Sequence, residues 1–275
     1  MLTPLFLTAA LLQATPDSGR TASGLWYSVT GSGPTVLLIH GANLDSRSWG
    51  PLPDSLAGTH RVVRMDLRSH GRSRDAAAPF SWIDDVVEVL DAAGAERAAL
   101  IGHSLGASVA LDVALRHPGR VSGLVLVGPG ISGMPGGMPT AGYEAFMAAL
   151  QKGDLALAGE ELGRAPFARF YRDTTRQAEV RTIIRENVRL FRASRDWIKP
   201  LDPPAIGRLA EIKVPVLVLR GDDDPSPSNQ AGGILLEQVK GATGERFQRC
   251  GHMLQLDCTG DVIASVRGFL ARLAR

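Results

Sequence analysis

The segment from Ala98 to Leu115 constrains the fold of this chain more than any other stretch. An apolar run, Ala98 to Ile101, stops at Gly102-His103-Ser104-Leu105-Gly106, and a helical pattern begins there. The segment therefore predicts a strand, a sharp turn and a helix, with Ser104 at the apex of the turn. Glycine at positions 102 and 106 indicates that strand and helix approach so closely that a side chain at either position would collide. The N–H groups at the start of the helix would stabilise negative charge that develops beside Ser104.

Strands and helices alternate on both sides of this segment. Strand patterns occur at Leu25–Val29, Thr35–Ile39, Arg61–Met65, Gly123–Val127, Val214–Leu219 and Glu245–Arg249. Helical patterns lie between them, and the chain ends on an amphipathic helix. Several of the strands are apolar on both faces, which is typical of a buried parallel sheet. We therefore predict an α/β fold with a mostly parallel central sheet covered by helices on both faces, and active residues at the carboxyl ends of the strands.

The alternation is interrupted after Gly130. Residues 131–139 are rich in glycine and proline, and the chain then stays helical in character to about Trp197 without a strand pattern. The sequence predicts a core formed by residues 21–130 and 206–275, with residues 131–205 inserted as a helical lid.

Composition points to a small-molecule partner. The 275 residues include 30 basic and 28 acidic side chains, which gives a net charge of +2. No cluster of lysines resembles a surface that tracks phosphates, so nucleic acid is disfavoured as a partner. The sequence does not indicate an oligomeric state, and no spacing of side chains suggests a metal site or a cofactor.

The amino terminus leaves the cellular compartment open. Residues 1–14 are apolar and uncharged, too short to span a bilayer and about as long as the hydrophobic region of a signal peptide. Residues 1–20 are therefore interpreted as a signal peptide or a disordered terminus, with a periplasmic or secreted location expected and a cytoplasmic one as the alternative. Cys250 and Cys258 fit either free thiols or one disulfide.

Three reactive side chains follow three predicted strands in the order Ser104, Asp224, His252. A serine hydroxyl is a weak nucleophile and needs a base, and histidine titrates near neutral pH. A buried carboxylate behind the imidazole fixes its tautomer and stabilises the imidazolium. An oxyanion would also need donors, and the backbone N–H groups of Ala42 and Leu105 are the candidates.

Together with the His40-Gly41 strand end and the turn from Asp66 to Ser73, these motifs resemble the α/β-hydrolase superfamily. The resemblance extends over nearly all of the chain from Leu25 onward and is strongest to capped esterases and enol-lactonase-like hydrolases. It implies that Ser104 is the nucleophile, His252 the base, Asp224 the acid, and Ala42 with Leu105 the oxyanion hole. The spacing of the family favours Asp224 over the adjacent Asp223. The remaining histidines of these motifs, His40, His70 and His103, are interpreted as structural.

The expected reaction is hydrolysis of a small carboxylic ester or lactone. Carbon–carbon bond hydrolases of this superfamily tend to have a glycine-rich segment after His-Gly, where this chain has Ala42 to Asp45. Carbon–carbon bond hydrolysis, acyl transfer by the same triad, and a non-catalytic ligand-binding protein remain the alternatives. Asp257-Cys258-Thr259 stands where the family commonly has an acidic residue, any residue and proline; this departure is not expected to affect the triad.

The predicted lid is rich in arginine. Nine arginines and three acids lie between Arg164 and Arg195. Val180, Ile184, Val188 and Phe191 form an apolar seam of one predicted helix, and an arginine stripe lies one residue further round it. The stripe is interpreted as a solvated face, with a basic rim that attracts a carboxylate substrate as the alternative.

Overall fold

The computed structural model describes residues 17–134, 143–192 and 195–273. The apolar stretch 1–14 and the glycine-rich residues 135–139 lie outside these ranges. The described residues form one sheet of eight strands. The strands are β1 (Asp17–Arg20), β2 (Trp26–Thr30), β3 (Thr35–Ile39), β4 (Arg61–Met65), β5 (Ala98–His103), β6 (Val121–Val127), β7 (Val216–Gly221) and β8 (Thr243–Phe247).

The strand order is β1-β2-β4-β3-β5-β6-β7-β8. Strand β2 runs antiparallel to both of its neighbours, and all other neighbouring pairs are parallel. The predicted mostly parallel sheet is thus confirmed. Strands β3 to β8 all run in the same direction. Their carboxyl ends therefore lie at the same edge of the sheet, which is where ligands bind in sheets of this kind.

Strand β1 was not predicted, because the sequence analysis assigned residues 1–20 to a signal peptide or a disordered terminus. Residues 17–20 instead pair antiparallel with β2, from Asp17 opposite Val29 to Arg20 opposite Trp26. Asp-Ser-Gly-Arg carries no apolar pattern, and three of its four residues are exposed. This strand depends on hydrogen bonds to its neighbour, which its own residues cannot indicate.

Helices cover both faces of the sheet. On one face α2 (Trp82–Ala92), α3 (Leu105–Arg116) and α7 (Ser228–Gln238) pack against alternate residues of β3, such as Leu37 and Ile39. On the other face α1 (Leu52–Ala57) and α9 (Thr259–Leu273) pack against Val36 and Leu38. No helix in the described ranges is both long and apolar enough to cross a membrane. The short helix α8 (Leu254–Asp257) directly precedes α9.

Residues 143–192 are helical and contain no strand; they fall within the predicted lid, residues 131–205, and are here called the inserted segment. It contains α4 (Glu144–Gln151), α5 (Leu155–Gly163), α6 (Gln177–Glu186) and several 3-10 turns. The predicted apolar seam packs inside this unit and against Leu44, Met253 and Leu256 of the sheet domain. The predicted single helix is wrong at its end, because α6 stops at Glu186 and a 3-10 turn covers Val188–Arg192.

Candidate active site

Ser104 occupies a strained turn between β5 and α3. Its backbone has φ of 52° and ψ of −112°, a left-handed conformation that is uncommon for residues other than glycine. The Ser104 N–H donates to the carbonyl of Val127 at 3.0 Å, and its own carbonyl accepts the N–H of Gly130 at 3.2 Å. Strand β6 and the residues that follow it therefore hold the turn at Ser104.

The two glycines around Ser104 are required by sterics, as the sequence predicted. A Cβ at Gly102 would overlap the backbone oxygen of Gly106, and one at Gly106 would overlap the backbone oxygen of Ile39. Both obstacles are main-chain atoms, which cannot rotate away as a side chain could. A third close approach occurs at Gly41, where a Cβ would lie 2.6 Å from Nδ1 of His103.

Asp224 and His252 are in direct contact. Nδ1 of His252 lies 2.7 Å from Oδ2 of Asp224, and both side chains are almost completely buried. Asp224 follows β7 and His252 follows β8, so adjacent strand ends bring the two residues together although 28 positions separate them in the chain. Asp223 is exposed, whereas Asp222 pairs with Arg246. Of the three consecutive aspartates, Asp224 is the one that contacts the histidine.

Two serines that the sequence analysis missed complete the surroundings of Asp224. The Ser226 N–H donates to Oδ1 at 2.8 Å, and the Ser228 hydroxyl donates to Oδ2. Burial alone would raise the pKa of Asp224. The positive charge that His252 can carry and hydrogen bonds from His252, Ser226 and Ser228 outweigh burial and lower this pKa to about 2. An ionised Asp224 accepts the Nδ1 proton of His252, which leaves Nε2 as the basic nitrogen of the ring.

A cavity of about 200 Å³ opens beside Ser104 and His252. Its apolar walls come from the sheet domain and from the inserted segment, whose Tyr143, Leu162 and Phe167 face it. The ring of Phe167 approaches that of His252 edge-on, with 6.2 Å between the centroids. The other lining residues are Ala42, Asn43, Leu44, His103, Gly128, Pro129, Gly130, Ser226, Pro227 and Ser228.

Of the two predicted oxyanion donors, only Ala42 is among the residues that line this cavity. Ala42 follows β3 and lines the cavity, and Leu105 is the first residue of α3, next to Ser104. Within the described part of the chain, neither backbone N–H donates a hydrogen bond to a protein acceptor. Both donors are thus available to a bound group, and their role as an oxyanion hole stays a prediction.

His40 and His70 are buried histidines whose rings bond to the backbone near the site. Nε2 of His40 accepts the N–H of Leu67 at 2.9 Å, and Nε2 of His70 accepts the N–H of Asn43 at 3.2 Å. In each ring Nδ1 faces a backbone carbonyl, so the hydrogen bonds specify a neutral imidazole. Burial lowers the pKa of His40 and lowers that of His70 to about 3. These geometries agree with the structural interpretation of His40 and His70.

His103 contacts the backbone of His252, a contact that the sequence did not predict. Its Nε2 lies 3.1 Å from the backbone carbonyl oxygen of His252, and the two rings are 4.9 Å apart. Burial and the neighbouring His252 lower the pKa of His103 to about 3, so the ring is neutral and donates through Nε2. His103 therefore holds the backbone of His252. The one hint in the sequence is that His103 directly precedes Ser104.

Asp257 and Cys258 bond to the two residues that precede His252 in the chain. Asp257 accepts the N–H of Gly251 at 2.8 Å, and Cys258 forms a disulfide with Cys250. Within the described residues, neither side chain bonds to Ser104, Asp224 or the His252 side chain, so the expectation that the Asp257-Cys258-Thr259 departure leaves the triad untouched stays a prediction. Sequence reasoning missed the contact of Asp257 with Gly251 because it joins residues on both sides of His252 through space.

The arginines of the inserted segment are largely paired with acids. Arg185 contacts Glu160 at 3.0 Å and Arg189 contacts Asp75 at 2.7 Å. In the described ranges no arginine or lysine lines the cavity. The solvated-face interpretation therefore describes these side chains better than a basic rim at the cavity. Further pairs join Arg164 to Glu161, Arg172 to Asp261 and Arg176 to Glu179.

Comparison with known proteins gives consistent results. A family model described as Alpha/beta hydrolase family matches residues 36–266. The 2-hydroxymuconate semialdehyde hydrolase of Pseudomonas sp. strain CF600 is 29% identical over 94% of this chain and 96% of its own. The 2-hydroxy-6-oxononadienedioate/2-hydroxy-6-oxononatrienedioate hydrolase of Paraburkholderia phymatum is 31% identical over 86% and 87%. The crystal structure of the esterase RhEst1 from Rhodococcus sp. ECU1013 superposes with a TM-score of 0.80 and 26% identity, covering 94% of this chain and 99% of that one.

Proposed function

Because the chain belongs to the alpha/beta hydrolase family, we propose that it is a serine hydrolase that cleaves a small carboxylic ester or lactone. The observation that carries this proposal is the buried 2.7 Å contact between Asp224 and His252 at the mouth of a cavity shared with Ser104. A binding protein would have no use for a strained serine, a basic imidazole nitrogen and an ionised carboxylate in one place.

The proposed reaction has two halves, acylation of Ser104 and hydrolysis of the acyl-enzyme, and His252 transfers protons in both. Nε2 of His252 takes the proton of the Ser104 hydroxyl as its oxygen attacks the carbonyl carbon. The resulting oxyanion is stabilised by the N–H groups of Ala42 and Leu105, and collapse expels the alcohol, which receives the proton from His252. Water, activated by the same nitrogen, then hydrolyses the acyl-enzyme. Asp224 keeps the ring in the required tautomer throughout.

The inserted segment acts as a lid in this proposal. Tyr143, Leu162 and Phe167 close one side of the cavity and are all contributed by residues 143–192. Their removal of water from the site would strengthen the electrostatic stabilisation of the oxyanion. The lid would also set the size of acyl group that the cavity accepts.

The charge of the cavity favours an uncharged substrate. In the described ranges no cationic side chain apart from the histidines lines it. A buried carboxylate without a partner is costly. A neutral ester or lactone therefore suits this cavity better than a dicarboxylate.

Carbon–carbon bond hydrolysis is the second candidate, and the curated relatives favour it. The names of both relatives designate oxo or aldehyde acids without an ester group, so their hydrolysis breaks a carbon–carbon bond. The same serine, histidine and aspartate could serve that reaction. The absence of a cation in the described cavity places it second, since a 2-hydroxy-6-oxo dioate carries two carboxylates.

A hydrolysis assay separates these candidates. Wild type and Ser104→Ala would be compared on p-nitrophenyl esters from acetate to decanoate and on a 2-hydroxy-6-oxo dienoic acid. We expect ester hydrolysis that falls at least about a thousandfold in the variant, with labelling of Ser104 by a fluorophosphonate. Activity on the dienoic acid alone would favour the second candidate. A folded wild-type protein that reacts with neither class and takes no label would contradict both.

The disulfide bears on location. Disulfides persist in oxidising compartments and are rare in the cytosol. The pairing of Cys250 with Cys258 therefore supports a periplasmic or secreted protein over a cytoplasmic one.

A further inference from the structure

Most polar side chains around the cavity already have partners in the protein. Nε2 of His103 donates to the His252 carbonyl, the Asn43 amide nitrogen donates to the carbonyl of Asn187, and the Ser228 hydroxyl donates to Asp224. Ser104 and His252 belong to the proposed reaction. The remaining hydroxyl groups are those of Tyr143 and Ser226.

The Tyr143 hydroxyl has no hydrogen-bond partner within the described residues. The residue is 5% exposed and lines the cavity, and its oxygen is not one of the fully buried polar atoms that lack a partner. A ligand that fills the cavity would remove water from this hydroxyl, which is costly unless the ligand supplies an acceptor. Burial and the negative charge of Asp224 raise the pKa of Tyr143 to about 12. The group is therefore a neutral donor, close enough to the triad to sense the charge of Asp224.

The Tyr143 ring is held in place by aromatic contacts. It stacks on Phe167 with an interplanar angle of 6° and 6.1 Å between the centroids. Phe167 in turn meets the His252 ring edge-on at 6.2 Å. The three rings thus form a chain from the proposed base to Tyr143, which fixes the Tyr143 hydroxyl relative to the reacting atoms.

Ser226 also lines the cavity, beside the triad. Its oxygen lies 3.1 Å from Nδ1 of His252 and accepts the N–H of Ser228 at 3.3 Å. The Nδ1 proton of His252 is directed at Asp224, and the Ser226 side chain also bonds that carboxylate, so Tyr143 is the better candidate for a donor to a ligand. Apart from these hydroxyls, the substrate would meet mainly the apolar side chains of Leu44, Pro129, Leu162, Phe167 and Pro227.

We propose that Tyr143 is a specificity-determining residue whose hydroxyl donates a hydrogen bond to an acceptor oxygen that the substrate carries beside its scissile ester or lactone. The substrate class is therefore an uncharged ester or lactone with an ether, hydroxyl or carbonyl oxygen near the reacting carbonyl. A substrate made only of hydrocarbon would leave the Tyr143 hydroxyl desolvated and unpaired, which selects against it. This inference rests on the proposed function and names the substrate class of that same site.

The test compares substrates that differ by one oxygen in place of one methylene. p-Nitrophenyl butyrate and p-nitrophenyl methoxyacetate form such a pair on the acyl side, and butyl acetate and 2-methoxyethyl acetate form one on the alcohol side. Wild type and Tyr143→Phe would be assayed for kcat/KM on all four. Tyr27→Phe serves as the matched control, because its hydroxyl donates to the Ala92 carbonyl on the far side of the sheet domain.

We expect Tyr143→Phe to lose about fivefold to tenfold in kcat/KM on the oxygen-bearing member of at least one pair, and less than about twofold on its hydrocarbon partner. Tyr27→Phe should leave both ratios unchanged. Equal losses within every pair, or no loss in any, would overturn the role of Tyr143 while leaving the proposed function intact. A wild type that hydrolyses none of the four esters and takes no fluorophosphonate label would overturn the proposed function and this inference together.

Discussion

The carboxylate of Asp257 accepts the backbone N–H of Gly251 at 2.8 Å, one residue before His252. The same carboxylate also accepts three successive N–H groups of the inserted segment, from Tyr171, Arg172 and Asp173. One buried side chain therefore ties the loop of the proposed base to the proposed lid. A Cβ at Gly251 would lie 2.6 Å from the carbonyl oxygen of Arg169, so the two backbones are also in close contact.

Replacing Asp257 with alanine should weaken both the fold and the reaction. The change leaves four backbone donors without their acceptor, so we expect a loss of about 3 kcal/mol or more in the free energy of unfolding. Displacement of His252 should lower kcat by about tenfold or more. Denaturant unfolding and kcat on a p-nitrophenyl ester measure the two effects. Asp261→Ala is the control: its pair with Arg172 is half-exposed, so its loss should stay within about 1 kcal/mol. Equal behaviour of the two variants would contradict the role of Asp257.

The disulfide should stabilise the same loop. Cys250 and Cys258 are eight positions apart, and closing so short a loop contributes about 2–3 kcal/mol in the chain-entropy description. We expect a reductant to lower the unfolding free energy of the wild type by about this amount and to reduce its activity. The double variant Cys250→Ser, Cys258→Ser should match the reduced wild type and should not respond to reductant. A wild type that is insensitive to reductant under unfolding conditions would contradict the prediction.

Alanine at position 106 should prevent the turn at Ser104 from forming. The new Cβ would overlap the main-chain oxygens of Ile39 and His40, so we expect a loss of more than about 3 kcal/mol or insoluble protein. Gly233→Ala is a matched change on the exposed side of α7, where a Cβ meets nothing within 4 Å. That variant should gain up to about 1 kcal/mol, because alanine favours helix. Thermal unfolding of both variants distinguishes the outcomes, and a stable Gly106→Ala protein would contradict this account.

Asp112 should make the protein less stable as pH rises. Burial in α3 raises the pKa of Asp112 from 3.8 to about 6, although a hydrogen bond from the Ser132 hydroxyl at 2.6 Å opposes the shift. The folded state thus binds this proton more tightly than the unfolded state does. The stability linked to the proton is complete below about pH 4 and is lost as pH rises through about 6.

Asp112→Asn removes this titration and keeps an acceptor for Ser132. We expect the variant to be more stable than the wild type at pH 8, by up to about 3 kcal/mol, and equally stable at pH 4. Urea unfolding at the two pH values measures the difference. A variant that is less stable than the wild type at pH 8 would show that the ionised carboxylate is stabilising.

Local sterics and the periodicity of apolar residues made part of this fold predictable before the structure was known. Glycine at 102 and 106 specifies the turn at Ser104, because backbone atoms fill the space that a side chain would need. Apolar runs such as Thr35–Ile39 specify a buried sheet, and their order along the chain predicts a mostly parallel one. The family resemblance then supplied the candidate residues of the site.

Contacts between groups that are far apart in the chain became visible only in the folded protein. The family spacing favours Asp224 among three adjacent aspartates, and the folded chain is needed to show its contact with His252. The contacts of Asp257 and the position of Tyr143 on the cavity likewise depend on segments that are distant in sequence. Strand β1 forms because β2 offers an edge, and α6 ends at Glu186 where the Asn187 side chain binds Asp45 at 2.8 Å. Such contacts are set by the packing of the whole chain, which no local pattern of residues encodes.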